Sequence, residues 1–575
     1  MSKKWKLRKE ASSEFKLKFA DLHPVIIQLL YNRGIQSQSD VDLFFEPAYG
    51  SMHDPFKFKD MEKAVERILQ AIEKKEKILI HGDYDADGVT SSAILYRTFK
   101  LLGADVETFI PHREKDGYGI NVNNVNNFIV QGVQLFITVD CGITNVDEVA
   151  LLNEKGVDVI ITDHHEPPEI IPDAYAILDP KVADSGYPFR ELAGAGVAYK
   201  VVQAILSDES KIPASEFQKY GGVEGYQKWI LDIVAIGTVA DVAPLVNENR
   251  ILVKWGLIVL AQTKWPGLKS LLDLIKPKNI DSFTIGFQIA PRLNAAGRLN
   301  HAKLAYELLV TEDQADADKI ASELQENNVN RQRIIEKSLA EAKGQVTAIE
   351  DQKVIFAFSE DWLPGIIGLI AGRLSDEFYR PVLAMTVSGN KIIGSGRSID
   401  GFDMIQSLRS VESFFARYGG HAGACGFTLA EIPIREKFQK TYYSIVEKKL
   451  SEIDLSPSLW IDREIEISEI SFELLKQIVE LSPFGEGNDR PLFKINNLQI
   501  VSADRIGKLK THLRMSVKQH TPIIYKMLWF GKAKEWFEKL KVGATIDVVC
   551  ELGINEWNGR REFEFKVQDL KISDK

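Results

Sequence analysis

The sequence predicts an α/β protein: a parallel-sheet domain joined by a long helix to a smaller α/β domain, followed by a C-terminal β-barrel of the oligonucleotide-binding kind. Three patterns carry this expectation. Short apolar, β-branched runs alternate with helical stretches from Lys77 to about Lys448, as in a parallel sheet covered on both faces. A polar stretch from about Ala302 to Ala348 lacks Pro and has almost no Gly, so it reads as a connecting helix or helix pair and not as a flexible linker. The tail after about Leu459 alternates short strands with turns, the signature of a small barrel.

In chain order, residues 1–50 form an N-terminal segment with an apolar, helix-like stretch at Leu22–Tyr31. The catalytic domain is expected over 51–265. Its strands are KILIHG (77–82), VETFIP (106–111), LFITVD (135–140), VDVIITD (157–163) and YAILDP (175–180). A connecting helical region follows over 266–348. A second α/β unit is expected over 349–450, with VIFAFSE, an apolar helix after Pro364, VLAMTV, a turn into KIIGSGRS and a GGHAGACGF segment. The barrel is expected over 456–575, on runs such as FKINNLQIV, HLRMSV, IIYKMLWF, ATIDVVCEL and REFEFKVQDLKI.

With 575 residues the chain has room for three or four domains and needs neither disulfides nor a structural metal to fold. Its three cysteines, Cys141, Cys425 and Cys550, are far apart and odd in number. They exclude a disulfide framework or a thiolate zinc site and fit the cytoplasm. The basic start has no apolar core of a secretory signal, and no run of about 18 apolar residues could span a membrane. The net charge of −10 argues against coating nucleic acid by overall field. From Val501 onward, however, 15 Lys and Arg face 10 Asp and Glu, so the tail is basic by +5.

Chemistry concentrates where strands end, the place where open α/β sheets bind ligands. The first strand runs into His81-Gly-Asp83-Tyr-Asp85-Ala-Asp87-Gly88. Helix capping by Asp87 and Thr90 explains one carboxylate, two at most. A calcium loop would need a later glutamate that is missing. Three carboxylates in one turn are costly unless a cation neutralises them, so a metal role is the better account. Val139-Asp140-Cys141-Gly142 and Thr162-Asp163-His164-His165 end two further strands, and Asp241 closes an apolar helical stretch after Gly237. Hard oxygen ligands with some imidazole suit two Mn²⁺ or Mg²⁺ ions. Such a pair hydrolyses phosphate esters or anhydrides.

DYDADG (83–88), VDCG (139–142), DHH (163–165) and the Asp of GTVAD (237–241) resemble motifs I to IV of the DHH phosphoesterase superfamily. HGDYDADGVTS, PRLNAAGRLN (291–300), SGRS (395–398) and GGHAGACGF (419–427) are similar to the RecJ branch, the bacterial single-strand-specific exonucleases. The resemblance spans essentially the whole chain. It implies metal ligation by His81, Asp85, Asp87, Asp140, His164 and Asp241, with Asp140 bridging and His81 the ligand on which branches differ. It gives Asp83 and Asp163 the orienting of ligands, and His165 a place facing the scissile phosphate. The second α/β unit then corresponds to the DHH-associated domain, which holds substrate. Arg292, Asn294, Arg298, Arg373, Ser395, Arg397, Ser398 and His421 are its candidate contacts. A guanidinium grips phosphate with two prongs, and Arg397 sits in a Gly-Ser-Gly-Arg-Ser turn.

In the barrel, Lys508, Lys510, His512, Arg514, Trp529, Trp557, Arg560 and Arg561 offer the basic and aromatic groups that single strands need. The resemblance implies 5′→3′ degradation of single-stranded DNA to 5′-mononucleotides, in recombination and repair. It also implies a single-stranded-DNA-binding protein and a helicase as partners. No heptad seam demands self-association, so a monomer is expected. Two alternatives stand beside this: a phosphodiesterase for dinucleotides or short oligoribonucleotides, and a strand-binding scaffold without metals.

Overall fold

The computed structural model describes residues 3–299, 301–346, 349, 352–557 and 560–573, without the side chain of Trp557. These residues form two compact units, Tyr49–Leu455 and a second built from both chain ends, Met1–Ala48 with Ser456–Lys575.

In the larger unit, five parallel strands form a sheet in the order Asp105–Phe109, Lys77–His81, Leu135–Val139, Asp158–Thr162, Ala176–Leu178. The inner strands are short and apolar because both faces are covered by helices, while the edge strand Asp105–Phe109 leaves Asp105 and Glu107 exposed. The helices Ala86–Leu101, Gly194–Ile205 and Leu231–Ala240 are themselves largely buried. The sheet grows outward on both sides of Lys77–His81, so the crevice between that strand and Leu135–Val139 is a topological switch point. The loops carrying Asp83, Asp85, Asp87 and Asp140 leave the sheet there.

The predicted helical connection is present as Lys303–Val310 followed by Gln314–Gln345. Beyond it lies a second sheet, in the order Phe415–Gly420, Ala424–Leu429, Lys391–Arg397, Val382–Ser388, Ile355–Phe358. Its first two strands in chain order pair parallel and the others antiparallel. Cys425 is buried in its core.

The smaller unit contains the predicted barrel. Strands Phe493–Ile506, His512–Lys518, Tyr525–Trp529, Arg560–Ile572 and Thr545–Trp557 pair in sequence, and pairing of the last with the first closes the ring. The N-terminal segment, read from sequence as separate, is built into this unit. Lys4–Leu7 pairs parallel with Ser458–Ile461. Phe15, Val25, Ile26, Leu29 and Leu30 share one apolar core with Leu474, Phe493 and Met515 of the tail. The helix predicted at Leu22–Tyr31 runs Pro24–Asn32.

Two predictions follow from this packing. A chain ending at Leu455 leaves the N-terminal apolar face uncovered; it should bind more hydrophobic dye and aggregate more than a chain of residues 49–455. The second concerns the helix Leu231–Ala240, anchored at its start by buried Asp232. This carboxylate accepts from Thr263 Oγ1 (2.6 Å), Trp265 Nε1 (3.0 Å) and the Ile233 N–H (2.7 Å). Burial nevertheless pushes it up to about 7, against the lowering effect of those hydrogen bonds. A raised carboxyl stabilises the fold below its unfolded pKa, and that stability is lost as pH rises through the folded value. Urea midpoints should therefore fall between about pH 4 and 7, and fall less in Asp232→Asn, whose missing share is roughly 4 kcal/mol over the window.

Candidate metal centre

The first acidic loop is shaped by its own backbone demands. Asp85 caps the helix Ala86–Leu101, its Oδ1 accepting from the N–H groups of Asp87 (2.9 Å) and Gly88 (3.1 Å). Capping of this helix by Asp87, the alternative weighed against its metal role, falls to Asp85, and Asp87 meets a different helix. Its two oxygens accept from Gly194 N–H (2.7 Å) and Ala195 N–H (2.9 Å), the first turn of Gly194–Ile205. That contact needs glycine: a Cβ at Gly194 would lie 2.8 Å from the Asp140 Cβ and 3.0 Å from Asp87 Oδ2. Orphan donors at a helix start favour a carboxylate.

Asp140 sits just past its strand in the left-handed region, φ 60°. His164 Nε2 lies 2.9 Å from Asp140 Oδ1 and 3.7 Å from Asp87 Oδ2, while its Nδ1 is 3.8 Å from Asp241 Oδ2. Asp241 arrives as the C-cap residue just past Leu231–Ala240, the helix that Asp232 anchors. Behind this row, Asp163 Oδ1 accepts from the N–H groups of His164 (2.7 Å) and His165 (3.2 Å) and contacts His165 Nδ1 (2.7 Å). Its other oxygen accepts from Ile143 N–H (3.0 Å).

The electrostatics of this cluster are strained. Burial and neighbouring aspartates raise Asp83 and Asp140 well above the carboxylate range. Burial and Asp85 push Asp87 up to about 7, and burial with Asp87 and Asp85 pushes Asp241 up to about 8. Burial alone would raise Asp163 too, but its contacts with His165 and His164 hold it low. His165 shows the reverse balance: burial disfavours its charge, yet Asp163 raises it to about 9. Buried His164 is pushed down to about 3, mainly by burial, so it is neutral and able to ligate.

A divalent cation relieves this arrangement. Ligand atoms of Asp83, Asp85 and Asp140 lie within 4.8 Å of one another, as do those of Asp87, His164 and Asp241, and those of Asp140, His164 and His165. Asp140 belongs to two of these groups, as a bridging carboxylate would. Asp83 Oδ1 is buried without a hydrogen-bond partner among the described residues. The donors are carboxylates and imidazoles without thiolate, a set for Mn²⁺ or Mg²⁺.

Several expected residues fall elsewhere. His81 is not in these groups. It is fully buried between Phe109 and Phe136, ring centroids 5.4 and 5.6 Å away, because its side chain points into the apolar layer under the sheet. Asn294 Oδ1 accepts from Ala86 N–H (2.8 Å) and holds the acidic loop. Ser398 gives its hydroxyl to the Phe402 carbonyl. His421 lies exposed at a hairpin tip, its Nδ1 accepting from Gly423 N–H (3.2 Å). Trp529 is a core residue of the barrel at 3% exposure, so it cannot stack on bases. Lys508, Lys510, Arg514 and Arg560 are exposed, with Arg514 paired to Asp504. Trp557's side chain lies outside the described residues.

The arginines gather in two sets that meet at Arg331, whose charge acts on Arg298 and which itself feels Arg292 and Arg373. Burial, then the charges of Arg113, Arg331 and Arg397, lowers Arg298 to about 9, with Asp85 opposing. Arg397 Nη1 donates to Ser395 Oγ (3.2 Å) and the Gly396 carbonyl (2.8 Å). The second set is Arg292, Arg331 and Arg373, and the like charges of Arg373 and Arg292 add to burial in lowering Arg331. Arg113, Arg331 and Tyr118, whose hydroxyl is 3.1 Å from His165 Nδ1, escaped sequence reading. So did Asp179, a carboxylate that burial pushes up to about 7. Asp179 alone had a signal, the strand-end aspartate of YAILDP.

Comparisons with known proteins agree with this geometry. The DHH family N-terminal domain matches residues 77–238, the DHHA1 domain 351–448 and the RecJ OB domain 461–569. The single-stranded-DNA-specific exonuclease RecJ of Bacillus subtilis is 37% identical over 99% of this chain and 71% of its own length. The chain belongs to the RecJ family. The RecJ of Haemophilus influenzae is 32% identical over 96% of this chain and 97% of its own. The crystal structure of RecJ in complex with Mn²⁺ from Thermus thermophilus superposes with a TM-score of 0.83 at 29% identity, covering 100% of this chain and 80% of that one.

The buried repulsion makes a prediction. In the chelated protein, Asp140→Asn should raise the melting temperature by removing one of the crowded charges. Mn²⁺ should stabilise the wild type more than the variant, read by calorimetric scans with and without the ion.

Proposed function

We propose that this RecJ-family chain is a metal-dependent exonuclease. It hydrolyses phosphodiester bonds of single-stranded DNA from the 5′ end and releases 5′-mononucleotides. The observation that carries the reading is a run of cation-sized groups of carboxylates and imidazoles at the sheet's switch point, linked through buried Asp140 and His164, each of which belongs to two of them. Asp85, Asp87, Asp140, His164 and Asp241 would hold two Mn²⁺ or Mg²⁺ ions, with Asp83 adjoining. Such ions supply charge neutralisation at the phosphate and a nucleophile at neutral pH.

The chain's own groups then position and protonate. Asp163, fixed by backbone N–H groups, keeps His165 oriented and charged at neutral pH. His165 is therefore suited to neutralise charge on a non-bridging oxygen or to give a proton to the leaving one. Neutral His164 serves as a ligand, while Gly194 and Ala195 orient Asp87 by backbone donation.

The Arg113, Arg298 and Arg397 set supports an end-directed activity. A Cβ at Gly297 would lie 2.7 Å from the Tyr84 carbonyl, and the Arg113 guanidinium lies 4.7 Å from the Tyr84 ring centroid, so this set lies beside the acidic loop. A Cβ at Gly368, in the first turn of Ile367–Phe378, would lie 3.1 Å from Ser395 Oγ and 3.2 Å from Arg397 Nη2. A helix start and three repelling guanidiniums together suit a terminal phosphate, which carries more charge than an internal one. Arg292, Arg331 and Arg373 suit a following phosphate. The exposed barrel cations, Lys508, Lys510, Arg514 and Arg560, suit the strand backbone. A single-stranded-DNA-binding protein and a helicase are the protein partners of this reading. Its roles are recombination and repair in the cytoplasm, carried out as a monomer.

The test is product analysis with Mn²⁺ on 5′-labelled and 3′-labelled single strands beside a duplex. Immediate labelled mononucleotide from the first, stepwise shortening of the second and little turnover of the duplex are expected. Asp241→Asn, which keeps the backbone N–H that caps Leu231–Ala240, should lower kcat by roughly three orders of magnitude, about 4 kcal/mol of transition-state stabilisation. Turnover of dinucleotides alone would overturn the strand assignment.

A further inference from the structure

The helix that places Asn294 against the acidic loop begins in an unusual way. Its first turn, Thr284–Ile289, is a π-helix that continues directly into Ala290–Leu299. π-helical turns are rare and concentrate at functional places. This one is firmly held. Thr284 N–H donates to Asp281 Oδ1 (2.9 Å), Thr284 Oγ1 donates to the Asn279 carbonyl (2.8 Å), and Ile285 and Ile289 are fully buried. Yet the two largest apolar side chains at this end point outward. Phe283 and Phe287 are 52% and 69% exposed, stacked face to face with centroids 4.7 Å apart and 23° between planes. Scattered exposed apolar residues are ordinary, but a rigid stacked pair presents a flat π surface.

The position of that surface singles it out. Gly286, between the two rings, lies against Val239, where a Cβ would sit 3.6 Å from Cγ1; Asp241 of the metal centre is two residues further on. Toward the other end, Arg292 is locked by Gln325 (2.7 Å) and the Gln288 carbonyl (2.6 Å), and Asn294 grips Ala86 N–H. From Phe287 to Asn294 is two helical turns, about 10 Å, which matches roughly three nucleotides at the ~3.4 Å spacing of stacked bases.

We propose that Phe283 and Phe287 form a stacking platform for bases of the substrate strand, a few nucleotides from the cleaved bond. The inference deepens the exonuclease reading and rests on it. The occupant is a nucleobase because the segment that carries the surface packs, through Gly286, on the helix that delivers Asp241 to the metal centre. The surface's neighbour along its own helix is a cation set suited to the strand's backbone. Every base has a π face, so the platform grips any sequence; paired bases in a duplex do not offer theirs, so it also favours single strands.

The test compares an oligothymidylate with the 4-nitrophenyl ester of thymidine 5′-phosphate, in the wild type and in Phe283→Ala/Phe287→Ala. Loss of stacking should lower kcat/KM on the strand at least about tenfold more than on the ester, and Phe287→Trp should keep the strand preference. A strand with abasic residues at its third and fourth positions should bring the wild type down to the variant. Equal losses on both substrates, or an unchanged strand rate, would overturn the platform. So would a double variant that only dissociates a dimer of the wild type, since a second copy would then be the occupant. If the wild type cleaves the ester but no strand, the exonuclease reading itself has failed, and the platform falls with it.

Discussion

The repulsion among buried carboxylates at the switch point is the constraint that the larger unit is built to contain. Asp83, Asp87, Asp140 and Asp241 are driven toward protonation by burial and by one another. Nothing in a low-dielectric interior tolerates that arrangement except positive charge delivered at close range. The protein supplies part of it as fixed dipoles: the start of Gly194–Ile205 at Asp87 and of Ala86–Leu101 at Asp85. The remainder falls to divalent ions. Their binding energy thereby becomes stabilisation of the native state, and the ion-free protein is held short of its most stable form.

Each strained carboxylate is held by an element whose other end is anchored elsewhere. Asp241 rides on a helix fixed at its start by Asp232, Thr263 and Trp265. The acidic loop is tied through Ala86 to Asn294, on a helix that also places Arg292 and Arg298. The arginines and the acidic loop are thus coupled through one helix. A change in that helix would alter phosphate binding and ion geometry together, which gives the PRLNAAGR segment a mechanical meaning beyond its arginines.

The sequence displayed the parallel sheet, the helical connection, the barrel and most of the acidic cluster, because each leaves a local signature. Apolar runs ending in aspartate mark strand ends directly, and a strand end is where an open sheet works. What stayed hidden depends on direction or distance. His81 and Asp83 sit two residues apart, yet one side chain enters the aromatic layer and the other the cluster, because the strand ends at His81 and the loop beyond it turns Asp83 away from that layer. Asn294 has the polarity of a ligand-binding residue, and only the fold shows that its partner is Ala86. Trp529 offered an aromatic ring in a basic tail, but the alternation of HLRMSV and IIYKMLWF places it inside the barrel. Arg113, Arg331 and Tyr118 belong to no strand-end pattern, and only tertiary proximity groups them with the site.

The pairing of Lys4–Leu7 with Ser458–Ile461 imposes an order on folding. Nearly the whole chain must be made before the N-terminal helices find the surface that buries Phe15, Ile26 and Leu30. Until then those side chains are exposed in a segment too short to bury them alone. The larger unit carries its own core and sheets, so it folds on contacts closed far earlier in synthesis. Its metal-binding loops can therefore mature while the barrel is still incomplete, so ion binding and closure of the smaller unit are separable events. The basic charge before Lys18 reflects the same circumstance: Lys3, Lys4, Lys6, Arg8 and Lys9 flank an apolar stretch that must wait, and like charges slow its association with other waiting chains.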